Sequence, residues 1–246
     1  MRTYLYDGTF ESFLTALSLA LERTEEYAIA RESGAGAEAG LFSEFVNAGT
    51  DPARAGAMRD FFEERGSAES WHHARYAFLS EAAGAEDAVL AYARLIKEKG
   101  RAADDMLADL RVKKVQDLSR SVGGEAHMFK GFVRFKELAD KTLYARIEPD
   151  HNILPLLTGH FRDRLGEFSW IIHDARRGRA ALYLKGRLIS APLTQEKALE
   201  FDGKEAEVQE LWRHFFKTAA IKERTNPRLQ LQNVPLKYRK NLTEFD

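Results

Sequence analysis

The sequence of 246 residues contains no cysteine, only six prolines and no long run of apolar residues. Without cysteine, the chain cannot form disulfides, thiolate metal sites, cysteine nucleophiles or its own iron–sulfur cluster. No stretch approaches the roughly 18–20 apolar residues that span a bilayer, and the first residues lack the basic-then-apolar pattern of a secretory signal. We therefore expect a cytoplasmic protein that has no membrane partner.

Several sequence motifs of known enzymes are also missing. The chain has no GxxxxGK[ST] phosphate loop, no GxGxxG dinucleotide motif and no GxSxG nucleophile elbow. No HExxH or HxH spacing is present, and His151 and His160 are nine residues apart. The sequence therefore predicts no cofactor and no metal site.

The charge of the chain is unevenly distributed. The formal net charge is −1, but residues 1–110 hold 11 basic against 20 acidic residues, and residues 111–246 hold 26 against 18. The net charges of the two parts are thus −9 and +8. A basic second part favours a polyanion-binding surface. Mutual neutralisation of two packed halves explains the same numbers equally well.

The first 110 residues have mainly helical patterns. Residues 2–6 are typical of a strand, Asp7-Gly8 of a turn and Thr9 of a helix N-cap. Residues 33–40 are predicted to form a small-residue loop. Asp51-Pro52 predicts another helix start. Two further helices are predicted over residues 71–82 and 88–99, with Gly84 and Gly100 at C-terminal ends.

The second part combines strands and helices. Gly123-Gly124 is predicted to interrupt a helical stripe. Residues 132–137 and 143–148 predict a hairpin, with Phe132, Arg134 and Lys136 on one strand face. The remaining predictions are a helix over 153–165 capped by Asn152, strands over 170–174, 180–185 and 187–190, a helix over 205–221, and an irregular tail from residue 226.

Together these patterns predict an α+β fold. It has a helical N-terminal half, and an antiparallel sheet flanked by helices in the C-terminal half. The predicted regions are residues 1–110, mainly helical and acidic, and residues 111–246, basic and α+β. Whether they pack as two domains or one stays open.

Histidines and carboxylates cluster around the predicted helix 153–165 and the strand after it. Such groups could act as general acid and base if they converge on one substrate. The sequence identifies no catalytic residue, and the candidates are Glu148, Asp150, His151, His160, His173 and Asp174.

Basic side chains are concentrated in three places: the first predicted hairpin, the ARRGR turn and the C-terminal tail. We expect the three arginines of the ARRGR turn to be exposed, planar, multidentate donors that suit phosphate oxygens, and a basic tail with an aromatic suits nucleic-acid contact. The alternative is a set of solvated or internally paired charges. The candidates for nucleic-acid binding are Arg134, Arg162, Arg176, Arg177, Arg228, Lys237, Tyr238 and Lys240.

Five long segments carry a resemblance to a known family. They are YDGTFESFLTAL, HMFKGFVRFKEL, YARIEPDHNILPLLTGHFRDR, WIIHDARRG and NPRLQLQNVPLKYRKNLTEF. Through them the chain resembles a bacterial family catalogued as DNA metabolism or DNA repair proteins, which carries a domain of unknown function. The resemblance implies association with a radical-SAM DNA repair protein, and some members are fused to a uracil-DNA glycosylase domain. It supplies no catalytic residue.

Three hypotheses follow. The first is a DNA-binding accessory or scaffold protein that acts with the radical-SAM partner. The second is a DNA-processing enzyme, namely a nuclease, glycosylase or lyase, that uses Glu148, Asp150, His151 and His160. The third is a protein-interaction module without affinity for DNA. The sequence does not determine the lesion or the oligomeric state.

Overall fold

The computed structural model describes residues 2–23, 27–34, 44–194 and 199–245. The chain divides into two compact units, Met1–Gly123 and Gly124–Asp246. The boundary falls inside one long helix. Most of the small-residue loop predicted at residues 33–40 lies outside the described residues. None of the helices in the described ranges combines the length and hydropathy needed to cross a bilayer.

The N-terminal unit contains a parallel sheet and α-helices. Strands β1 (Arg2–Tyr6), β2 (Tyr27–Arg31) and β3 (Glu44–Asn47) pair in the order β2-β1-β3, all parallel. The helices are α1 (Phe10–Glu22), α2 (Pro52–Asp60), α3 (Ala68–Leu79), α4 (Ala85–Lys99) and the first part of α5 (Leu110–Phe132).

Local hydrogen bonds explain where these helices begin. The Thr9 side chain accepts from the Ser12 amide, and the Asp51 carboxylate accepts from the amides of Ala53 and Arg54. Both predicted N-caps are therefore confirmed, because each side chain satisfies amides that the helix leaves unpaired.

Two predictions about glycine are wrong. Gly84 does not end a helix but precedes α4 as its N-cap, with φ +74°. Gly123 and Gly124 do not interrupt α5, which continues to Phe132. A glycine lowers helix propensity by about 1 kcal/mol relative to alanine, and this cost is small enough for flanking packing to override. Val122 and Ala126, on either side of the pair, are both buried.

The C-terminal unit is built on a five-stranded sheet. Its strands are β4 (Lys136–Glu137), β5 (Leu143–Ile147), β6 (Trp170–Asp174), β7 (Arg179–Leu184) and β8 (Arg187–Pro192), in the order β4-β5-β6-β7-β8. Every pair is antiparallel except β5 and β6, which are joined by helix α6 (Leu154–Arg164). Trp170 and Ile172 of β6 and Leu157 of α6 are fully buried.

Helices complete this unit. Helix α7 (Glu205–Ala219) is followed by α8 (Pro227–Asn233), α9 (Leu236–Arg239) and a 3-10 turn at Thr243–Phe245. The irregular tail predicted from residue 226 is therefore wrong. Its two prolines begin helices: Pro227 occupies the first helical position of α8, and Pro235 the N-cap position of α9.

The first predicted hairpin of the C-terminal unit is correct in place but not in length. Its first strand is only Lys136–Glu137, and Phe132 is the last residue of α5. The prediction that Phe132 shares a strand face with Arg134 and Lys136 is therefore wrong. Likewise, Asn152 makes no capping hydrogen bond to α6, whose N-cap position is occupied by Ile153. The predicted α+β class, with an antiparallel sheet flanked by helices in the second half, is confirmed.

Candidate nucleic-acid interface

A basic pocket of about 280 Å³ lies on the C-terminal unit, where the β4–β5 hairpin meets the end of the chain. We call it the basic pocket. Its lining combines four cations with two aromatic rings and two small polar side chains. The lining residues are Arg134, Lys136, Tyr144, Arg146, Phe201, Lys240, Asn241 and Thr243.

The sheet register determines which of these side chains meet. Lys136 of β4 pairs directly with Tyr144 of β5, and Arg146 is two residues further along the same strand. Side chains two apart in a strand point to the same face, so Tyr144 and Arg146 share one side of the sheet. Phe201 arrives through a bridge between its backbone and Leu138.

The two rings play different structural roles. Tyr144 is 3% exposed, and its hydroxyl is 2.8 Å from Nδ1 of His173. Phe201 is 45% exposed, and its ring contacts the Tyr144 ring at a centroid distance of 6.3 Å. Tyr144 therefore forms a fixed base for the pocket, while Phe201 presents a ring face or edge to solvent.

The cations differ in how strongly protein carboxylates hold them. Arg134 makes a two-pronged contact with Glu244, with Nε–Oε2 at 3.0 Å and Nη2–Oε1 at 2.5 Å. Its guanidinium also lies 5.5 Å from the ring centroid of Trp212. Burial opposes ionisation of Glu244, but hydrogen bonds from Arg134 and Trp212 outweigh it and lower the pKa of that carboxyl.

Arg146 and Lys240 share a single carboxylate. Arg146 Nη2 is 3.0 Å from Oε1 of Glu148, and Lys240 Nζ contacts the other oxygen of the same group. Burial opposes the charged form of Glu148, yet Lys240 and Arg146 together hold its pKa below the ordinary value. Two cations on one anion leave this side of the pocket with a net positive charge.

Lys136 stands apart from the other three cations. Its ammonium lies 6.0 Å from the Phe201 ring centroid and forms no ion pair with any residue that the structure describes. An ammonium beside an exposed ring, without a counter-ion in the part of the chain that the structure describes, is available to an anion from solution.

The acidic candidates from the sequence are held by cations rather than gathered around one reacting atom. Asp150 contacts Arg176, at 3.0 Å, and Lys237. The hydrogen bond from Lys237, helped by Arg176 and opposed by burial, lowers the pKa of Asp150. Glu148 is engaged by Arg146 and Lys240.

The remaining candidates lie on α6, β6 and the loop between β5 and α6. Asp174 is fully buried and paired with Arg177 at 2.9 Å, and His173 contacts Tyr144. His160 lies on α6, where burial lowers its pKa. Within the described ranges, no three histidines and carboxylates form a group that could hold a metal ion.

A buried carboxylate that supports the site, without lining the pocket, also escaped sequence reasoning. Glu125 of α5 is 4% exposed, and its carboxylate accepts hydrogen bonds from the amides of Asp150 and His151, both at 2.8 Å, and from the Tyr238 hydroxyl. It thereby fixes the 148–151 loop and the tail that carries Lys240. The sequence does offer one signal for a buried role of Glu125. This acidic residue lies between Val122 and Phe129, at helical spacing, on an otherwise apolar stripe.

The predicted nucleic-acid contacts fall into three groups. Arg134 and Lys240 line the basic pocket. Tyr238 is 6% exposed and packs on Phe129 and Phe132, so its ring does not face solvent. Burial and the hydrogen bond to Glu125 raise its pKa. The other members lie outside the pocket, namely Arg162 on α6, Arg176 and Arg177 in the β6–β7 turn, Arg228 on α8 and Lys237 on α9.

The turn between β6 and β7 does not expose all three of its arginines. The Arg177 side chain is only 12% exposed, and it donates to Asp174, Pro149 O and Asp150 O. The prediction of three exposed arginines at this turn is therefore wrong for Arg177, because a buried carboxylate requires a cation close by.

The fold and the pocket together define an α+β protein with a basic, aromatic-lined surface site. A family model, the domain of unknown function DUF4130, matches residues 83–244. The chain therefore belongs to the DUF4130 family. Neither the curated proteins nor the solved structures include a significant match to the chain.

Proposed function

We propose that the chain binds nucleic acid through the basic pocket and serves as a DNA-binding accessory protein in DNA repair. One observation carries the proposal: Lys136, which lacks a described counter-ion, lies beside the exposed ring of Phe201. Proteins that hold single strands combine cations along the backbone with aromatic rings on which bases stack.

The repair setting rests on the resemblance of the five sequence segments to a family of DNA metabolism or repair proteins. That resemblance also points to a radical-SAM repair protein as the partner, and to an association with uracil-DNA glycosylase. A chain without cysteine would take the DNA-handling role in such a pair.

The alternative of a DNA-processing enzyme has weaker support. Its candidate carboxylates Glu148, Asp150 and Asp174 are each paired with cations of the same chain. A general acid or base must instead be within hydrogen-bond reach of the substrate.

Reversing the charge of Lys136 is expected to weaken binding of a labelled single-stranded oligonucleotide about tenfold or more. The Lys136→Glu variant removes one phosphate contact, so the dependence of log K on log salt should also fall by roughly 0.7. Fluorescence anisotropy at two or more salt concentrations measures both quantities.

The matched control is Arg187→Glu, which changes the net charge equally but lies on β8, at the opposite edge of the same sheet. We expect its affinity to stay within about twofold of the unmodified chain. Equal losses of affinity in both variants would mean that net charge alone, and not the basic pocket, causes the effect. Failure of the unmodified chain to bind single-stranded, duplex or uracil-containing probes at low salt would contradict the proposal.

Removing the Phe201 ring tests the stacking half of the proposal. The Phe201→Ala variant should lose about 1–3 kcal/mol of single-strand binding, the usual contribution of one base stacked on one ring. Unlike the effect of Lys136, this loss should be nearly independent of salt. The control is Phe168→Ala, which removes another exposed ring, 53% accessible, in the segment between α6 and β6. Identical affinities for the two variants would refute stacking on Phe201.

A further inference from the structure

A second pocket of about 300 Å³ lies on the C-terminal unit, between helix α6 and strands β7 and β8. It shares no lining residue with the basic pocket. Its volume is at the lower end of the range for small-molecule sites, which are mostly apolar with a few placed polar groups. We call it the α6 pocket.

The walls of the α6 pocket are apolar and belong to two different elements. Pro155 lies in the first turn of α6, and Leu188 lies on the edge strand β8, two residues from Ser190 and therefore on the same face of the sheet. Leu188 is 47% exposed. Apolar surface on two sides suits the two faces of a flat ring.

Three polar side chains in the same pocket have no partner among the residues that the structure describes. Asn152, Arg179 and Ser190 line it, and none makes a side-chain hydrogen bond or ion pair with any residue in the described ranges. A fourth, Thr158, donates its hydroxyl proton to Pro155 O at 3.1 Å and keeps its oxygen as an acceptor. The pocket therefore offers donors and acceptors together.

Arg179 differs from its two neighbours in the turn. Arg176 is paired with Asp150, and Arg177 with Asp174. Arg179 has no carboxylate partner among the described residues and reaches the mouth of an apolar pocket. A planar guanidinium in that position matches a phosphate or carboxylate by two parallel hydrogen bonds.

We propose that the α6 pocket binds a single nucleotide. The base would lie between Pro155 and Leu188, its edge would meet Asn152 and Thr158, and its phosphate would meet Arg179. A nucleobase needs both donors and acceptors at its rim and apolar contact on its faces, and proteins read unstacked bases in this way. The inference deepens the proposed function and rests on it for the source of the nucleotide, either a free molecule or one residue of a bound strand.

Titration of the full chain with mononucleotides tests the pocket directly. Deoxyuridine, thymidine, deoxycytidine and deoxyadenosine 5′-monophosphates, the matching nucleosides and inorganic phosphate would each be added to the isotopically labelled chain. We expect amide chemical-shift changes around Asn152, Arg179 and Ser190 with at least one nucleotide. Arg179→Gln should weaken binding of that nucleotide about tenfold and leave binding of its nucleoside unchanged, because only the phosphate contact is lost.

Arg187→Gln is the matched control, since Arg187 lies on the adjoining strand but does not line the pocket. It should leave nucleotide affinity unchanged. No shift with any nucleotide at millimolar concentration would overturn the proposal, and so would equal weakening by Arg179→Gln and Arg187→Gln.

A second variant distinguishes the two sources of the nucleotide. Ser190→Tyr fills the pocket from an exposed position on β8 and should abolish mononucleotide binding. If the pocket takes a base from a bound strand, Ser190→Tyr also weakens binding of a single-stranded oligonucleotide, and removing one base from the oligonucleotide does the same in the unmodified chain. If it takes a free nucleotide, strand affinity is unchanged.

The two proposals fail separately. A chain that binds strands through Lys136, but gives no response to mononucleotides, retains the proposed function and loses the α6 pocket. A chain that binds mononucleotides, but no strand at low salt, retains the pocket and loses the proposed function.

Discussion

Replacing Glu125 by alanine is expected to lower the free energy of unfolding of the C-terminal unit by about 3–5 kcal/mol. The change leaves three donors without their acceptor, namely the part-buried amides of Asp150 and His151 and the buried hydroxyl of Tyr238. Each buried group left without its partner costs about 1–3 kcal/mol. Urea unfolding followed by tryptophan fluorescence measures the total.

Amide hydrogen exchange tests whether the loss of stability arises at the contacts of Glu125. The amides of Asp150 and His151 should exchange much faster in Glu125→Ala, because their acceptor is gone. Tyr238→Phe removes only one of the three hydrogen bonds and should cost about 1–2 kcal/mol. The control is Glu207→Ala, which removes an exposed carboxylate from α7. Equal stabilities of Glu125→Ala and Glu207→Ala would rule out a structural role for Glu125.

The same variant should also weaken DNA binding, although Glu125 does not line the basic pocket. Tyr238 precedes Lys240 and Asn241, two of the lining residues, by only two and three positions. Releasing Tyr238 from Glu125 would therefore let both side chains move. Retention of full strand affinity in a folded Glu125→Ala chain would contradict this link.

Replacing Arg177 by alanine is expected to lower the free energy of unfolding by about 3–5 kcal/mol at pH 7. Asp174 is fully buried, and Arg177 supplies its cation at 2.9 Å. Deleting one member of a buried pair leaves an uncompensated charge, which is the expensive case. Arg177→Ala also removes hydrogen bonds to Pro149 O and Asp150 O, which hold the 148–151 loop to the turn.

The loss of stability in Arg177→Ala should depend on pH in a defined direction. Burial raises the pKa of the Asp174 carboxyl above its ordinary 3.8, although Arg177 and two backbone amides oppose the rise. A carboxyl with a raised pKa in the folded state makes the protein less stable as pH rises through the interval between its unfolded and folded pKa. Without Arg177 the folded pKa rises further and this interval widens upward.

The loss of stability caused by Arg177→Ala should therefore be largest at pH 7 and should shrink as the pH falls toward 4. Thermal or urea unfolding at both pH values measures it against the unmodified chain. Asp174→Asn in the same background provides a double-mutant cycle, since deletion of Arg177 should cost much less beside a neutral side chain. Arg187→Ala controls for loss of an arginine. A loss of stability that is the same at both pH values would contradict a charge-based cause.

Local signals predicted much of the fold. Thr9 and Asp51 identify helix starts because a cap depends on three or four consecutive residues. The β6–β7 hairpin and α7 were also predicted close to their observed bounds. The short strands β2 and β3 were missed because their pairing partner β1 is distant in sequence and neither alternates clearly. Gly84 was misread because glycine suits either end of a helix when φ is positive.

The candidate site was harder to predict than the fold, for a similar reason. Arg134 and Lys240 could be selected as basic residues near aromatics. Arg146 and Phe201 could not, because their convergence depends on strand register and on a bridge 63 positions apart, between Leu138 and Phe201. Sequence also gives no measure of which charges neutralise one another. Lys237 and Arg176 have the same formal charge as Lys136, yet both contact Asp150.

The extent of the family match has a consequence for where the chain can be divided. The match begins at residue 83, just before α4, whereas the first compact unit extends to Gly123. Tyr92 and Ile96 of α4 are buried, and α4 packs against α1 and α3, which precede the matched segment. The segment that the family model matches therefore starts inside a compact unit. A fragment cut at residue 83 would carry α4 without α1 and α3, the helices against which it packs.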